Sequence, residues 1–172
     1  GLCLIEAETA ARLSPDDLKV QEILVGLHSM FLRLDMAEKS VEKFIVYAKA
    51  NNKLKSRGYQ ELADIEVLRG HLKKAKELYE KAKTLGDPNG IAKVTLEEFP
   101  EQVDSTKRQP LNPNALFINP INALNRKGEI FAHFGMYQRA MGIYSMILRI
   151  HPTNLTALLN TATANYKNEK YN

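Results

Sequence analysis

Thirty-four residues separate Leu124 from Leu158, Gly128 from Ala162 and Tyr137 from Tyr171. Self-similarity at a fixed spacing constrains a chain more than any single motif, because it commits the sequence to one supersecondary unit used repeatedly. The pattern also runs backwards. A shift of 65 residues carries Gly135 onto Gly70, Ala140 onto Ala75 and Tyr144 onto Tyr79. A further shift of 35 carries Ala75 onto Ser40 and Tyr79 onto Phe44.

The clearest copy, Ile121–Pro152, predicts two amphipathic helices around a turn at Gly135. Leu124, Phe131, Ala140, Tyr144 and Ile147 form its inward face. Gly128 and Ala140 are small where two helices must cross closely, and Pro152 stands where the second helix has to end. Ser56–Pro88 has the same form, with Tyr59, Leu62, Ala63 and Ala82 in register, but carries Glu66 where an aromatic is expected. Leu18–Asn52 is a more diverged copy with Leu24, Leu27, Phe31 and Tyr47 apolar. Leu2–Leu13 reads as the second helix of a pair whose first is absent. The stretch from Ala157 to Lys167 reads as a first helix, departing from the pattern at Asn165 and Glu169.

The order Leu124, Gly128, Phe131, Gly135, Tyr137, Ala140, Tyr144, Ile147, Pro152 resembles the tetratricopeptide repeat. That family has a first helix marked by an aromatic or leucine, a small residue and an aromatic. A Gly-x-aromatic turn follows, then alanine, aromatic, apolar and proline. The resemblance implies an all-α fold, an α-α superhelix or solenoid of antiparallel helix pairs. Such pairs bury their apolar faces only against neighbours, and terminal units need a polar cap. No cap is evident at either end, so the sequence reads as a fragment of a larger protein.

The repetition breaks between Pro88 and Ile121. Gly86-Asp87-Pro88-Asn89-Gly90 is a turn cluster, and Ile91–Phe99 predicts a short helix with Ile91, Val94 and Phe99 packed inward. Four prolines, Pro100, Pro110, Pro113 and Pro120, make the rest extended or turned. The organisation read from the sequence is therefore helical repeats over 1–88, an irregular Pro/Asn-rich insertion or linker over 89–120, and repeats again over 121–172. The insertion either folds over the groove or tethers two blocks, with Leu116, Phe117 and Ile118 docked in both cases.

Chemistry is sparse. The single Cys3 allows no disulfide within the chain and reads as a small core residue. His28, His71, His133 and His151 lack partners at metal-ligand spacing, and neither a phosphate-binding glycine loop nor a nucleophile elbow is present. The expectation is no enzyme, no cofactor and no metal. No apolar run reaches the roughly 18–20 residues that span a bilayer, so no membrane role is expected. The net charge of +4 resides entirely beyond Ile121, which would favour acidic partners, unless it serves only solubility.

The resemblance also implies where a partner would sit. First helices of such arrays line a concave groove, and by alignment its residues are Asn125, Arg126, Glu129 and His133, then Asn160, Thr163 and Lys167. Asparagine offers both donor and acceptor to a peptide backbone, and Arg126 or Lys167 could hold a carboxylate. A solvated helix face explains the same residues. In the Ser56 unit that face carries Arg57, Gln60, Glu61 and Asp64 and reads as more acidic. The resulting expectation is a cytoplasmic protein-interaction module holding a peptide or partner domain. The alternatives are a regulatory, output or oligomerisation region of a multidomain signalling protein, joined through uncapped repeat ends, and an RNA-binding helical repeat.

Overall fold

Asp17, Asn51, Asn119 and Asn154 begin four of the helices in the same way. Each side-chain oxygen accepts a backbone N–H of the first turn: Lys19 at 2.8 Å, Leu54 at 3.2 Å, Ile121 at 2.9 Å and Ala157 at 2.9 Å. These bonds satisfy donors that a helix start otherwise leaves orphaned. At Asn119 the cap is followed by Pro120, whose missing N–H costs nothing at a first helical position.

The computed structural model describes residues 2–100 and 119–171. Among them are nine helices and no strand: α1 Leu2–Leu13, α2 Leu18–Met30, α3 Leu34–Tyr47, α4 Asn52–Leu68, α5 Leu72–Thr84, α6 Ile91–Glu97, α7 Pro120–His133, α8 Tyr137–Ile150 and α9 Leu155–Tyr171. The capped helices are α2, α4, α7 and α9, the first helices of their pairs. The second helices α3, α5 and α8 have no side-chain cap of their own. They follow a turn through the left-handed region at Leu32 (φ 52°), Gly70 (φ 80°) and Gly135 (φ 84°). In each turn a bond reaches back five residues: Arg33 N–H to His28 C=O, His71 to Glu66 and Met136 to Phe131, at 3.0, 2.8 and 3.0 Å. That is the helix-ending arrangement in which a left-handed residue lets the chain satisfy its last carbonyls.

These turns fix the register. Gly135 and Gly70 lie 65 residues apart, as the sequence indicates, but Leu32 lies 38 before Gly70, not 35. Ala75 therefore corresponds to Ala37 and Tyr79 to Val41, one helical turn earlier than Ser40 and Phe44. Ala37 and Val41 are completely buried. The sequence misleads here because a leucine occupies the left-handed position that glycine marks elsewhere. The same offsets place His28, Glu66 and Phe131 at one structural position, and all three are buried.

Adjacent helices pack in pairs, α2 on α3, α4 on α5, α7 on α8, and the pairs stack through α3 on α4 and α8 on α9. Gly128 is where α7 crosses α8. A Cβ at that position would stand 2.3 Å from Tyr144 Cε1, so only glycine admits the ring. Phe44, Tyr79, Phe131 and Tyr144 are all core residues.

The break in the repetition does not break the stack. α7 packs against α4, and α6 is wedged with contacts to both α5 and α8. One apolar core consequently runs from Leu32 through Tyr79 and Phe99 to Ala164. In α6 the deeply buried residues are Ala92 and Thr95, while Ile91 and Val94, expected inward, are only half-buried. Close approach to α5 favours the small side chains. Phe99 does pack inward, with its ring edge-on to Tyr79 at 6.2 Å. Leu116, Phe117 and Ile118 lie outside the described residues. Cys3, expected in the core, is exposed: Leu4 and Ala7 carry the buried face of α1.

Candidate functional site

The first helices lie side by side, α4 beside α7 and α7 beside α9, so the face they share is continuous. Along it the sequence-derived residues fare differently. Asn125 is only 6% exposed, and its Oδ1 is buried without a hydrogen-bond partner among the described residues. Its side chain is thus largely enclosed, and not open to solvent as the sequence suggests. Arg126 and Glu129 are part-exposed and bond each other at 3.2 Å, one helical turn apart. His133 is exposed, with its ring edge-on to Phe134. On α9, Asn160 is half-buried with Nδ2 enclosed, Thr163 is exposed and donates to Leu159 C=O at 2.9 Å, and Lys167 is exposed. Arg126, Glu129, His133, Thr163 and Lys167 are thus presented to solvent.

The α4 part of the face departs further from expectation. Asp64 is 1% exposed and Gln60 5%, leaving Arg57 and Glu61 as the accessible charges. Asp64 accepts a hydrogen bond from Tyr79 Oη and pairs with Lys127 Nζ at 2.7 Å and Arg139 Nη2 at 2.5 Å. Burial raises the Asp64 carboxyl, but the Arg139 and Lys127 cations more than reverse this and hold it below the ordinary carboxylate range. Burial and the Asp64 charge push the Tyr79 phenol well above its usual value, so it acts as a neutral donor. These side chains come from α4, α5, α7 and α8. The presumed acidity of Asp64 is therefore spent internally, tying the two halves of the chain together, and does not colour the outer face.

Two further networks support the framework. Glu66, standing where an aromatic is expected, is nearly buried and pairs with His71 at 2.7 Å, Lys74 at 2.8 Å and Arg69 at 3.3 Å. Arg69 also reaches Asp35 at 2.7 Å and Glu38 at 2.8 Å on α3, so charge replaces ring packing between successive pairs. Glu98, just past α6, accepts from the backbone N–H of Gln138 at 2.7 Å and Arg139 at 3.3 Å. It thereby caps α8 from a distance. Apart from the contact of Glu66 with Arg69 one turn on, these bonds join residues whose proximity depends on how the helices pack, which the sequence does not display.

Beside this framework a cavity of about 180 Å³ opens between α2 and α4, bounded also by Asn89 and Ile91 at the start of α6. Sequence reasoning found Arg57, Gln60 and Glu61 of its lining but not Glu22 and Gly26, which sit on a helix whose register was shifted. Among the described residues no group of three or more His, Cys, Asp or Glu side chains could hold a metal ion. No described helix is long and apolar enough to cross a membrane. Comparison with protein-family models, curated proteins and solved structures finds no match to this chain.

Proposed function

We propose that the chain is a tetratricopeptide-like protein-interaction module, a cytoplasmic scaffold element that holds a peptide or partner domain on the face of its first helices. The observation that carries this reading is the alignment of first helices side by side, α4 beside α7 and α7 beside α9. Their shared face presents Glu61, Arg126, Glu129 and Lys167, and Glu22 and Arg57 join Glu61 around an open cavity at its α2 end. Such a surface offers charged and amide groups in a fixed array on rigid elements, which favours recognition over turnover.

The experiment is capture of a partner by the whole chain, repeated with Arg126→Glu combined with Lys167→Glu. Both residues are solvent-facing, so folding should survive. Loss of the partner is the expected result, and undiminished capture would move the site off this part of the face.

A second reading has its own observation. Leu155, Leu158, Leu159 and Tyr166 of α9 are all 44–68% exposed, an apolar set along one helix. A face of that kind favours association between helices. Sedimentation of wild-type protein against Leu158→Glu with Leu159→Glu distinguishes them: a concentration-dependent oligomer that the variant abolishes would favour self-assembly.

A further inference from the structure

The cavity between α2 and α4 exists because of one residue. Gly26 lies in the middle of α2, where glycine costs about 0.5–1 kcal/mol relative to alanine. Packing does not require it: a Cβ built there meets nothing within 4 Å. Gly58, across the cavity on α4, is different, since its Cβ would stand 2.4 Å from Ile45 Cγ1. At the structurally matching position of the next pair stands Asp64, and there α7 closes over the side chain with Lys127 bonded to it. Gly26 therefore leaves open, at the first pair, a space that the second pair fills from within.

The chemistry of the space selects an occupant. Val25, Phe44 and Ile91 make apolar walls, and the volume of about 180 Å³ is close to that of an engineered apolar cavity, about 150 Å³, that takes benzene. Drug-sized ligands need about 300 Å³ or more. One leucine or phenylalanine side chain fits. The rim holds Glu22 and Glu61 against a single Arg57, which already bonds Glu22 at 2.9 Å. The site is thus locally acidic on a chain of net charge +4, and it favours a cationic neighbour beside the apolar anchor.

We infer that this cavity receives one large apolar side chain, leucine or phenylalanine, of a partner peptide carrying arginine or lysine next to it. The inference rests on reading the first-helix face as a protein-binding surface and names the class of ligand that face takes.

Capped peptides of one length in a Gly-Ser background test it, carrying Arg-Leu-Arg, Arg-Ala-Arg or Glu-Leu-Glu at the centre. Each is titrated into the isotopically labelled whole chain, and amide shifts are followed. Arg-Leu-Arg should bind at least about tenfold more tightly than either other peptide, with shifts at Gly26, Gly58 and Ile91. Gly26→Leu fills the cavity from α2 and should abolish those shifts without lowering the melting temperature. Equal binding of the leucine and alanine peptides, no binding of any peptide at millimolar concentration, or unaltered binding to Gly26→Leu would overturn the proposal. Toluene entering a cavity that refuses all three peptides would also overturn it. If Gly26→Leu leaves partner capture intact while Arg126→Glu with Lys167→Glu removes it, the cavity proposal fails and the first-helix reading stands. If neither matters, both fail.

Discussion

Lys127 Nζ on α7 lies 2.7 Å from Asp64 Oδ2 on α4, joining helices on either side of the break in the repetition. With Tyr79 and Arg139 added, four helices converge on one carboxylate whose side chain is 1% exposed. A buried charge can persist only with partners of this kind, because leaving it alone costs far more than the pair returns. The interrupted repetition and the continuous stack are reconciled at this point.

Gly128 makes the sharpest prediction about packing. Gly128→Ala should destabilise the protein by about 1–3 kcal/mol, since the new methyl overlaps the Tyr144 ring. Gly142→Ala on the partner helix α8 meets nothing within 4 Å and should instead stabilise by about 0.5–1 kcal/mol. Urea unfolding of the two variants checks both signs together.

The pairing pattern was legible where it is local. Gly70 and Gly135 announce their left-handed turns, and Gly128, Ala140 and Tyr144 announce a close crossing at helical spacing. Leu32 adopts the same backbone without the usual residue, so the repeat spacing alone sets the second helix of the first pair one helical turn out of register. Asp64 looks like a surface carboxylate in sequence. Its burial is decided by Lys127 and Arg139 arriving from α7 and α8, which no short-range pattern encodes. Asn125 reads as an open amide in the sequence, and the approach of neighbouring helices leaves it only 6% exposed.

Acid should weaken the fold in two stages. His28 is buried between Ser40, 3.0 Å from Nδ1, and Glu8, 3.5 Å from Nε2, and burial lowers its pKa despite the Glu8 carboxylate. A depressed folded value means that the unfolded chain takes up the proton first. Stability is therefore full above the ordinary 6.5 and falls as pH drops from there toward the folded value. Asp64 and Glu66 are also held below their usual values, by cations that outweigh burial, and add a second loss as pH falls through the carboxylate range. Urea midpoints between pH 8 and pH 3 should show both losses, and His28→Gln should remove the upper one.

Docking of α6 depends on Glu98 and Phe99. Glu98→Ala strips the borrowed cap from α8 and should cost about 1 kcal/mol. Phe99→Ala removes a buried ring against Tyr79 and should cost about 3–5 kcal/mol. Chemical denaturation reads both, and negligible losses would mean that α6 is not part of the core.

A double-mutant cycle on Asp64→Asn and Lys127→Met tests most directly whether the helix pairs on either side of the break in the repetition form one stack. Each single change should destabilise substantially, because it strands a buried group. The double variant should be more stable than the sum of the two losses implies, by about 1 kcal/mol or more. Losses that simply add, within about 0.3–0.5 kcal/mol, would show that the two residues do not meet and would contradict the continuous stack.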